Sequence, residues 1–428
     1  MSNATSLNAT THQFLLGAQD IGLRLCRDAV WAGPRCTWLG SSMEFISGAW
    51  VTAEKPAGAD IYAGTSGIAL FLAELYAATR ERPLRKAALG GVALAISSLE
   101  TSSLANPIGF YSGSVGIAYA LLRIGQKLDE PSLVERALTG LDSLTGTNLE
   151  SSLLDVIGGC GGAIPVLLRL SVEFDRPAYL DLATRCGRHL IATAKVSDGT
   201  LSWNTIGGPS GRNLTGFSHG TAGIGWALTE LWRATRERAF LDAANGAFAY
   251  ERRLFSPDRG NWPDLRVMDG QSASEPGYAL AWCHGAPGIG LSRLRVYAIT
   301  NDEIFRSEAE MALATTSRSL EVASGAVNYS LCHGAFGNAD LLLEAAAALG
   351  RSEARARAEQ LGVQALNYAA TGVPWPCGVP NGGETPGLLL GLAGIGYFLL
   401  RLYDPSLESL LIVGPKHPVK HHVEAGIL

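Results

Sequence analysis

Seven times along the chain a Gly-x-x-Gly tetrapeptide opens a stretch that is apolar nearly all round. The tetrapeptides are Gly64–Gly67, Gly113–Gly116, Gly159–Gly162, Gly220–Gly223, Gly285–Gly288, Gly334–Gly337 and Gly391–Gly394, spaced 46 to 65 residues apart. The first leads into IALFLAELYAATR and the last into IGYFLLRLY. Other stretches between them, such as PLRKAALGGVALAISSL and AFLDAANGAFAYERRLF, mix apolar and charged residues at a helical period. A helix apolar on every side is buried on every side, and one with a charged face borders solvent. The alternation predicts an all-α protein: an α/α toroid, or barrel, of about seven inner and seven outer helices. An open solenoid is the alternative, but it would leave the buried helices at both ends uncovered. The expected organisation is an N-terminal helical extension (1–60), the toroid (61–404) and a C-terminal tail (405–428). Paired glycines permit tight turns and close approach at the start of each inner helix.

Composition narrows the class. Hydrophobic residues make up 47% of the 428 positions, charged residues 17%, and there are 51 glycines. Such a chain can bury a large core, which excludes a disordered protein, and its glycines lack the three-residue period of collagen. A net charge of −5 with scattered basic residues argues against a nucleic-acid partner. The first twenty residues lack a basic segment followed by an apolar one. Apolar runs break before the ~18 residues a membrane span needs, so no span and a cytoplasmic location are expected. Seven widely spaced cysteines, an odd number, argue against a disulfide framework.

The chemistry lies just ahead of the glycines, because in a closed ring equivalent repeat positions converge on one end. Those positions read Tyr62-Ala63, Tyr111-Ser112 and Leu389-Leu390 in three repeats, but Ser218-His219, Cys283-His284 and Cys332-His333 in three consecutive ones. Three of the eight histidines sit there. Two thiolates and an imidazole are the donors zinc prefers. An open site would use three protein ligands, and a closed one both Cys-His pairs; adjacent side chains point apart, which favours the open site. Simple packing of thiols and imidazoles is the third possibility. Asp155, four residues before Gly159, is either an orienting partner for a histidine or an N-cap. Cys26, Cys36, Cys160, Cys186 and Cys377 read as packing residues, with Cys377 nearest the mouth. Two long polar segments, 197–216 and 256–280, have a length that often goes with function, or form short hairpins.

The segments SHGTAGIG, WCHGAPGIG, LCHGAFGNADLLL, DVIGGCGGAI and PGLLLGLAGIGYFLLRL resemble the lanthionine synthetase C-like cyclases, which close thioether rings in lanthipeptides. The resemblance runs from about Ile61 to Asp404 and implies an α/α toroid with one zinc ion at a mouth. Carried over residue by residue, it implies Cys283, Cys332 and His333 as metal ligands, His219 as acid/base and Asp155 as its aspartate. WCHGAPGIG and NWPDLR lean toward the cyclase domain of class II synthetases. The 60 residues ahead of the repeats are too few for the dehydratase of those enzymes, so a separate dehydratase is the expected partner. Free-standing members carry an aromatic where His284 stands and a basic residue where Ala279 stands, making His284 a third candidate for proton transfer. The implied reaction adds peptide cysteine thiols to dehydroalanine or dehydrobutyrine in a dehydrated precursor peptide. Addition of glutathione or another thiol to dehydrated protein residues, or a non-catalytic peptide scaffold for a dehydratase, are the alternatives. Glycoside hydrolysis on a toroid needs paired carboxylates, which the repeat ends do not offer. The histidines of the C-terminal KHPVKHHVEAGIL read as solvated.

Overall fold

The structure is a computed structural model that describes residues 2–46, 49–101, 107–206, 212–266, 276–322 and 328–416. The chain begins with α1 (Ser2–Asp28) and two β-hairpins, β1 (Val30–Ala32) with β2 (Arg35–Thr37) and β3 (Leu39–Ile46) with β4 (Ala49–Pro56). Helices α2 (Thr65–Thr79), α3 (Arg82–Glu100), α4 (Ser114–Leu128), α5 (Pro131–Leu144), α6 (Cys160–Glu173) and α7 (Pro177–Thr193) follow. A short hairpin of β5 (Lys195–Ser197) and β6 (Thr200–Ser202) precedes α8 (Thr221–Thr235) and α9 (Arg238–Leu254). The rest is α10 (Ala286–Thr300), α11 (Glu303–Val322), α12 (Ala335–Leu349), α13 (Ser352–Ala369) and α14 (Leu392–Tyr403).

The even-numbered helices are the Gly-x-x-Gly stretches. Each packs on the next, and α14 returns to α2, which closes the ring. Each of the first six is backed by the helix that follows it, and α14 is backed by α1. The architecture is the expected α/α toroid of seven inner and seven outer helices. The N-terminal region is built differently from a helical extension: α1 is the seventh outer helix, with Phe14, Ala18, Ile21 and Leu25 buried against its neighbours, and it is followed by the paired strands β1–β4.

Local sequence explains the connections. Five inner helices end on a left-handed residue (Arg80, Asp129, Arg236, Asn301, Gly350), a common helix stop. Three outer helices start with proline near N1, where its missing N–H costs nothing. The resulting inner-to-outer links are two or three residues long, whereas the outer-to-inner links run from 12 to 36. All seven inner N-termini therefore share the loop-rich end.

The second glycine of each pair has one recurring reason. A Cβ there would collide with the carbonyl oxygen six residues earlier: Ile61 for Gly67, Phe110 for Gly116, Val156 for Gly162, Phe217 for Gly223, Trp282 for Gly288, Leu331 for Gly337 and Leu388 for Gly394. The glycine lets the chain fold back over the helix start, and the folded-back residues form a collar. Its backbone bonds run Leu389 to Tyr62 (2.8 Å), Tyr62 to Tyr111 (2.9 Å), Tyr111 to Ile157 (3.0 Å), Val156 to Ser218 (2.9 Å), Ser218 to Cys283 (3.2 Å), Cys283 to Cys332 (3.3 Å) and Cys332 to Leu389 (2.8 Å), N–H to carbonyl throughout. This belt circles the mouth.

At the other end, Leu410, Leu411, Ile412 and Val413 are buried. The carbonyls of this segment accept hydrogen bonds from Tyr111 (to Leu410, 2.7 Å), Trp282 (to Leu411, 3.0 Å) and Arg295 (to Ile412, 3.2 Å). Residues 409–414, expected as part of a tail, are thus buried and reach the underside of the collar. The histidines of the tail lie at 417 and beyond, outside the described residues. No helix among the described residues is long and apolar enough to cross a membrane.

Candidate functional site

The belt sets the site. Cys283 donates its backbone N–H to the carbonyl of Cys332, so the two cysteines stand side by side in the turns that lead into the adjacent inner helices α10 and α12. Their Sγ atoms and a ring nitrogen of His333 lie within 4.8 Å of one another. His333 Nε2 is 2.7 Å from the Gly378 carbonyl. In the neutral ring that nitrogen donates, and Nδ1 keeps the lone pair that a metal needs. Gly378 permits this contact, since a Cβ there would stand 3.0 Å from Nε2. The Tyr62 hydroxyl donates to Cys332 Sγ at 3.0 Å.

The two thiols are electrically unequal. Hydrogen bonding to Cys332, with burial adding to it, holds the Cys283 thiol well above the usual range. The same hydrogen bond holds Cys332 well below that range, with His333 and Tyr62 assisting against the opposing effect of burial. Two sulfurs, one of them favouring the thiolate, and an imidazole with a free lone pair form a donor set that fits a soft divalent ion such as zinc. The other thiols differ. Burial pushes Cys26 up to about 11, Cys36 to about 12 and Cys377 to about 11. Cys160 and Cys186 are fully buried, and hydrogen bonding to Cys160 raises Cys186.

Beside this cluster, His219 Nδ1 lies 2.6 Å from Asp155 Oδ2. The other carboxylate oxygen accepts the Gly158 N–H at 2.9 Å, so Asp155 serves both the histidine and the turn leading into α6. Asp155 is buried, while the His219 side chain is 30% exposed. With Nδ1–H given to the carboxylate, Nε2 is the nitrogen left for other chemistry. The His284 ring centroid is 6.0 Å from that of His219. His284 is 1% exposed, and neither ring nitrogen has a hydrogen-bond partner among the described residues. Burial, with Arg266 and His219 adding positive charge, pushes it down to about 3.

The structure therefore brings together all six residues singled out from the sequence, in two groups: Cys283–Cys332–His333 and Asp155–His219–His284. The sequence reading did not single out Tyr62, Gly378, Asp264 or Arg266. Tyr62 shares the offset of Cys283 and Cys332, two residues ahead of the first glycine, and that offset was the available signal. Gly378 comes from a segment outside the repeats. Asp264 and Arg266 lie in the long loop before the fifth repeat, Asp264 Oδ1 being 3.9 Å from His284 Nδ1.

Comparison with known proteins places this geometry. The family model described as lanthionine synthetase C-like protein matches residues 55–412. The lacticin 481/lactococcin biosynthesis protein LcnDR2 of Lactococcus lactis subsp. lactis is 25% identical over 357 residues, covering 80% of this chain. The chain spans 36% of that protein's length. The nisin biosynthesis protein NisC, from the same organism, is 26% identical over 301 residues, covering 63% of this chain and 70% of that one. Among solved structures, nisin cyclase superimposes with a TM-score of 0.64 at 21% identity, over 82% of this chain and 90% of that one; at that identity the match bears on the fold.

Proposed function

The chain belongs to the lanthionine synthetase C-like family, and on that premise we propose that it is a zinc-dependent cyclase forming thioether rings in a dehydrated precursor peptide. The observation carrying this reading is the Cys283–Cys332–His333 cluster beside an aspartate-oriented histidine at one mouth of the toroid. Those three residues would hold the metal and leave one coordination position open. A zinc ion bound there supplies a Lewis acid that favours the thiolate form of a substrate cysteine.

The chain's residues supply the rest. The Tyr62 hydroxyl and the Gly378 carbonyl orient Cys332 and His333. When the substrate thiolate attacks the β-carbon of a dehydrated residue, a C–S bond forms and the C=C π pair moves onto the acyl oxygen as an enolate. A proton must then reach the α-carbon. His219 is the acid for that step: Asp155 holds Nδ1 at 2.6 Å and so fixes the tautomer, which leaves Nε2 for the transfer on a side chain that is 30% exposed. His284, its ring buried 6.0 Å away, is held toward the neutral form by that burial. The precursor peptide and a dehydration activity that prepares it are what this chemistry requires.

The test uses the purified chain and a dehydrated peptide. Zinc content is measured per chain, and products are resolved by mass spectrometry after thiol alkylation, with and without glutathione. One zinc per chain and loss of alkylatable thiols without added mass support the cyclase. A glutathione-sized mass gain instead identifies the intermolecular thiol-addition reading. Cys332→Ala is expected to lose both zinc and conversion. Full zinc and normal conversion in that variant would refute the assignment.

A further inference from the structure

The loop between α9 and α10 leaves the repeat pattern, yet it is pinned into the mouth at several points. The Asn261 side chain accepts the backbone N–H groups of Trp262 (2.9 Å) and Ala286 (2.8 Å), the latter being the first residue of α10, and donates to the Ala279 carbonyl at 3.0 Å. The Thr215 hydroxyl donates to the Pro263 carbonyl at 2.6 Å, and Asp264 N–H to the Gly277 carbonyl at 2.7 Å. Trp262 is buried against Ala222, Ala286 and Ile289. The loop is therefore fastened to the start of α10, just after Cys283 and His284, and to the turn beside His219.

What this fastening holds in place is a cation. Asp264 grips the Arg266 guanidinium through Nε (3.0 Å to Oδ1) and Nη2 (2.6 Å to Oδ2), and also accepts the Arg266 backbone N–H at 3.1 Å. Among the described residues Nη1 makes no hydrogen bond, and the side chain is 33% exposed. The groups form an arc: Asp155 to His219 at 2.6 Å, His219 to His284 at 6.0 Å between ring centroids, His284 to Asp264 at 3.9 Å, and Asp264 to Arg266 at 2.6 Å.

The proposed reaction has an unmet need at this place. Thiolate addition moves an electron pair onto the acyl oxygen of the dehydrated residue, while His219 is committed to the α-carbon. A permanently protonated guanidinium with a free N–H is suited to that oxygen. We propose that Arg266 is the oxyanion-stabilising catalytic residue of the site, its Nη1 donating to the enolate oxygen, and that Asp264 is its positioning residue. This rests on the cyclase reading above. No atoms are exchanged with Arg266: it keeps its protons while the C–S bond forms and the α-carbon gains one.

The test compares wild type, Arg266→Met, Arg266→Lys, Arg266→Ala and Asp264→Asn on one dehydrated peptide, with zinc content, melting curves, kcat and KM for each. Arg266→Met is expected to lower kcat by about 10²- to 10³-fold, the usual loss on removing one oxyanion donor, with zinc content and KM near wild type. Arg266→Lys should recover part of the rate, and added guanidinium should accelerate Arg266→Ala but not Cys332→Ala. Asp264→Asn should fall between wild type and Arg266→Met. A purely structural role would show as a lower melting point with no guanidinium rescue, which overturns the proposal, as does Arg266→Met turning over at the wild-type rate. A wild-type chain that binds zinc yet converts no peptide overturns the cyclase reading and this inference with it, and is distinguishable from failure at Arg266 alone.

Discussion

At the mouth of the barrel, links of 12 to 36 residues present thiols, imidazoles and a guanidinium that keep unused hydrogen-bonding capacity. At the opposite end, links of two or three residues frame ionic groups that are almost all spoken for. Arg401, 7% exposed at its side chain, is paired with Asp340 and, at 2.8 Å, with Glu344. Asp340 also accepts the Ser409 hydroxyl, and Arg169 meets Glu408 at 2.6 Å. Both ends belong to the same seven inner helices, so helix propensity cannot account for the contrast. Connection length can. A short link leaves no backbone to place a side chain against another repeat, and that end is closed by packing the 409–414 segment into it. Long links at the mouth add loops such as 256–266 that carry groups to the collar from outside the repeats. The division implies that substitutions at the mouth should alter rate with little loss of stability, and that those at the closed end should do the reverse.

The largest separation is expected at Asp155. Replacing it with Asn removes the charge that holds the His219 tautomer, and the rate of ring closure should fall by about 10²- to 10⁴-fold. Zinc content should stay at the wild-type value, because Asp155 touches none of the three candidate ligands. Activity and metal analysis on the same preparation check this; loss of zinc in Asp155→Asn would show that the two groups at the mouth are not independent.

Asp340→Ala is the converse. It leaves the Arg401 guanidinium buried with Glu344 as its remaining carboxylate and strips Ser409 of its acceptor. Breaking a buried pair from one side costs about 3–5 kcal/mol. A lower denaturation midpoint is expected, with kcat and zinc per folded chain unchanged. A fall in kcat at temperatures where the variant is fully folded would mean that the lumen segment transmits to the collar through Tyr111 and Trp282, and the division between the ends would fail.

Much of the mouth was legible before the structure. Ring closure brings equal repeat offsets together, and that put the Cys283-His284 and Cys332-His333 pairs and His219 at one end; the choice of Cys283, Cys332 and His333 among them came from the family resemblance. Tyr62 was legible by the same rule and was passed over, because a tyrosine at that offset also reads as core. Asp264, Arg266 and Gly378 could not be placed by periodicity. They lie in segments with no repeat partner, and their positions depend on tertiary hydrogen bonds from Asn261, Thr215 and His333. The pattern did not show that α1 backs α14, since packing between the two ends of a chain leaves no trace in either helix alone. The buried run Leu410–Val413 did leave one: four consecutive apolar residues are out of character for a solvated tail.

The smallest expected effect tests whether the closed end tolerates its charges or depends on them. Glu230, on α8 beside this end, is fully buried. Its Oε1 accepts the Trp226 indole N–H at 3.1 Å, and burial raises its pKa from 4.5 to about 7 despite the nearby Arg295. The folded chain therefore holds a proton there that the unfolded chain releases above about pH 4.5. A raised folded value means that stability is fully present below the unfolded pKa and is lost as pH climbs through about 7. At 1.36 kcal/mol per unit the loss amounts to roughly 3 kcal/mol by pH 8. Glu230→Gln keeps the shape and a hydrogen-bond acceptor without the titration. It should match wild type at pH 4 and exceed it at pH 8 by up to that amount, as read by denaturant midpoints at both pH values. If wild type instead gains on Glu230→Gln between pH 4 and pH 8, Glu230 is ionised and paired in the folded chain. The closed end would then depend on its buried charges, where a gain confined to high pH would show that it only tolerates this one.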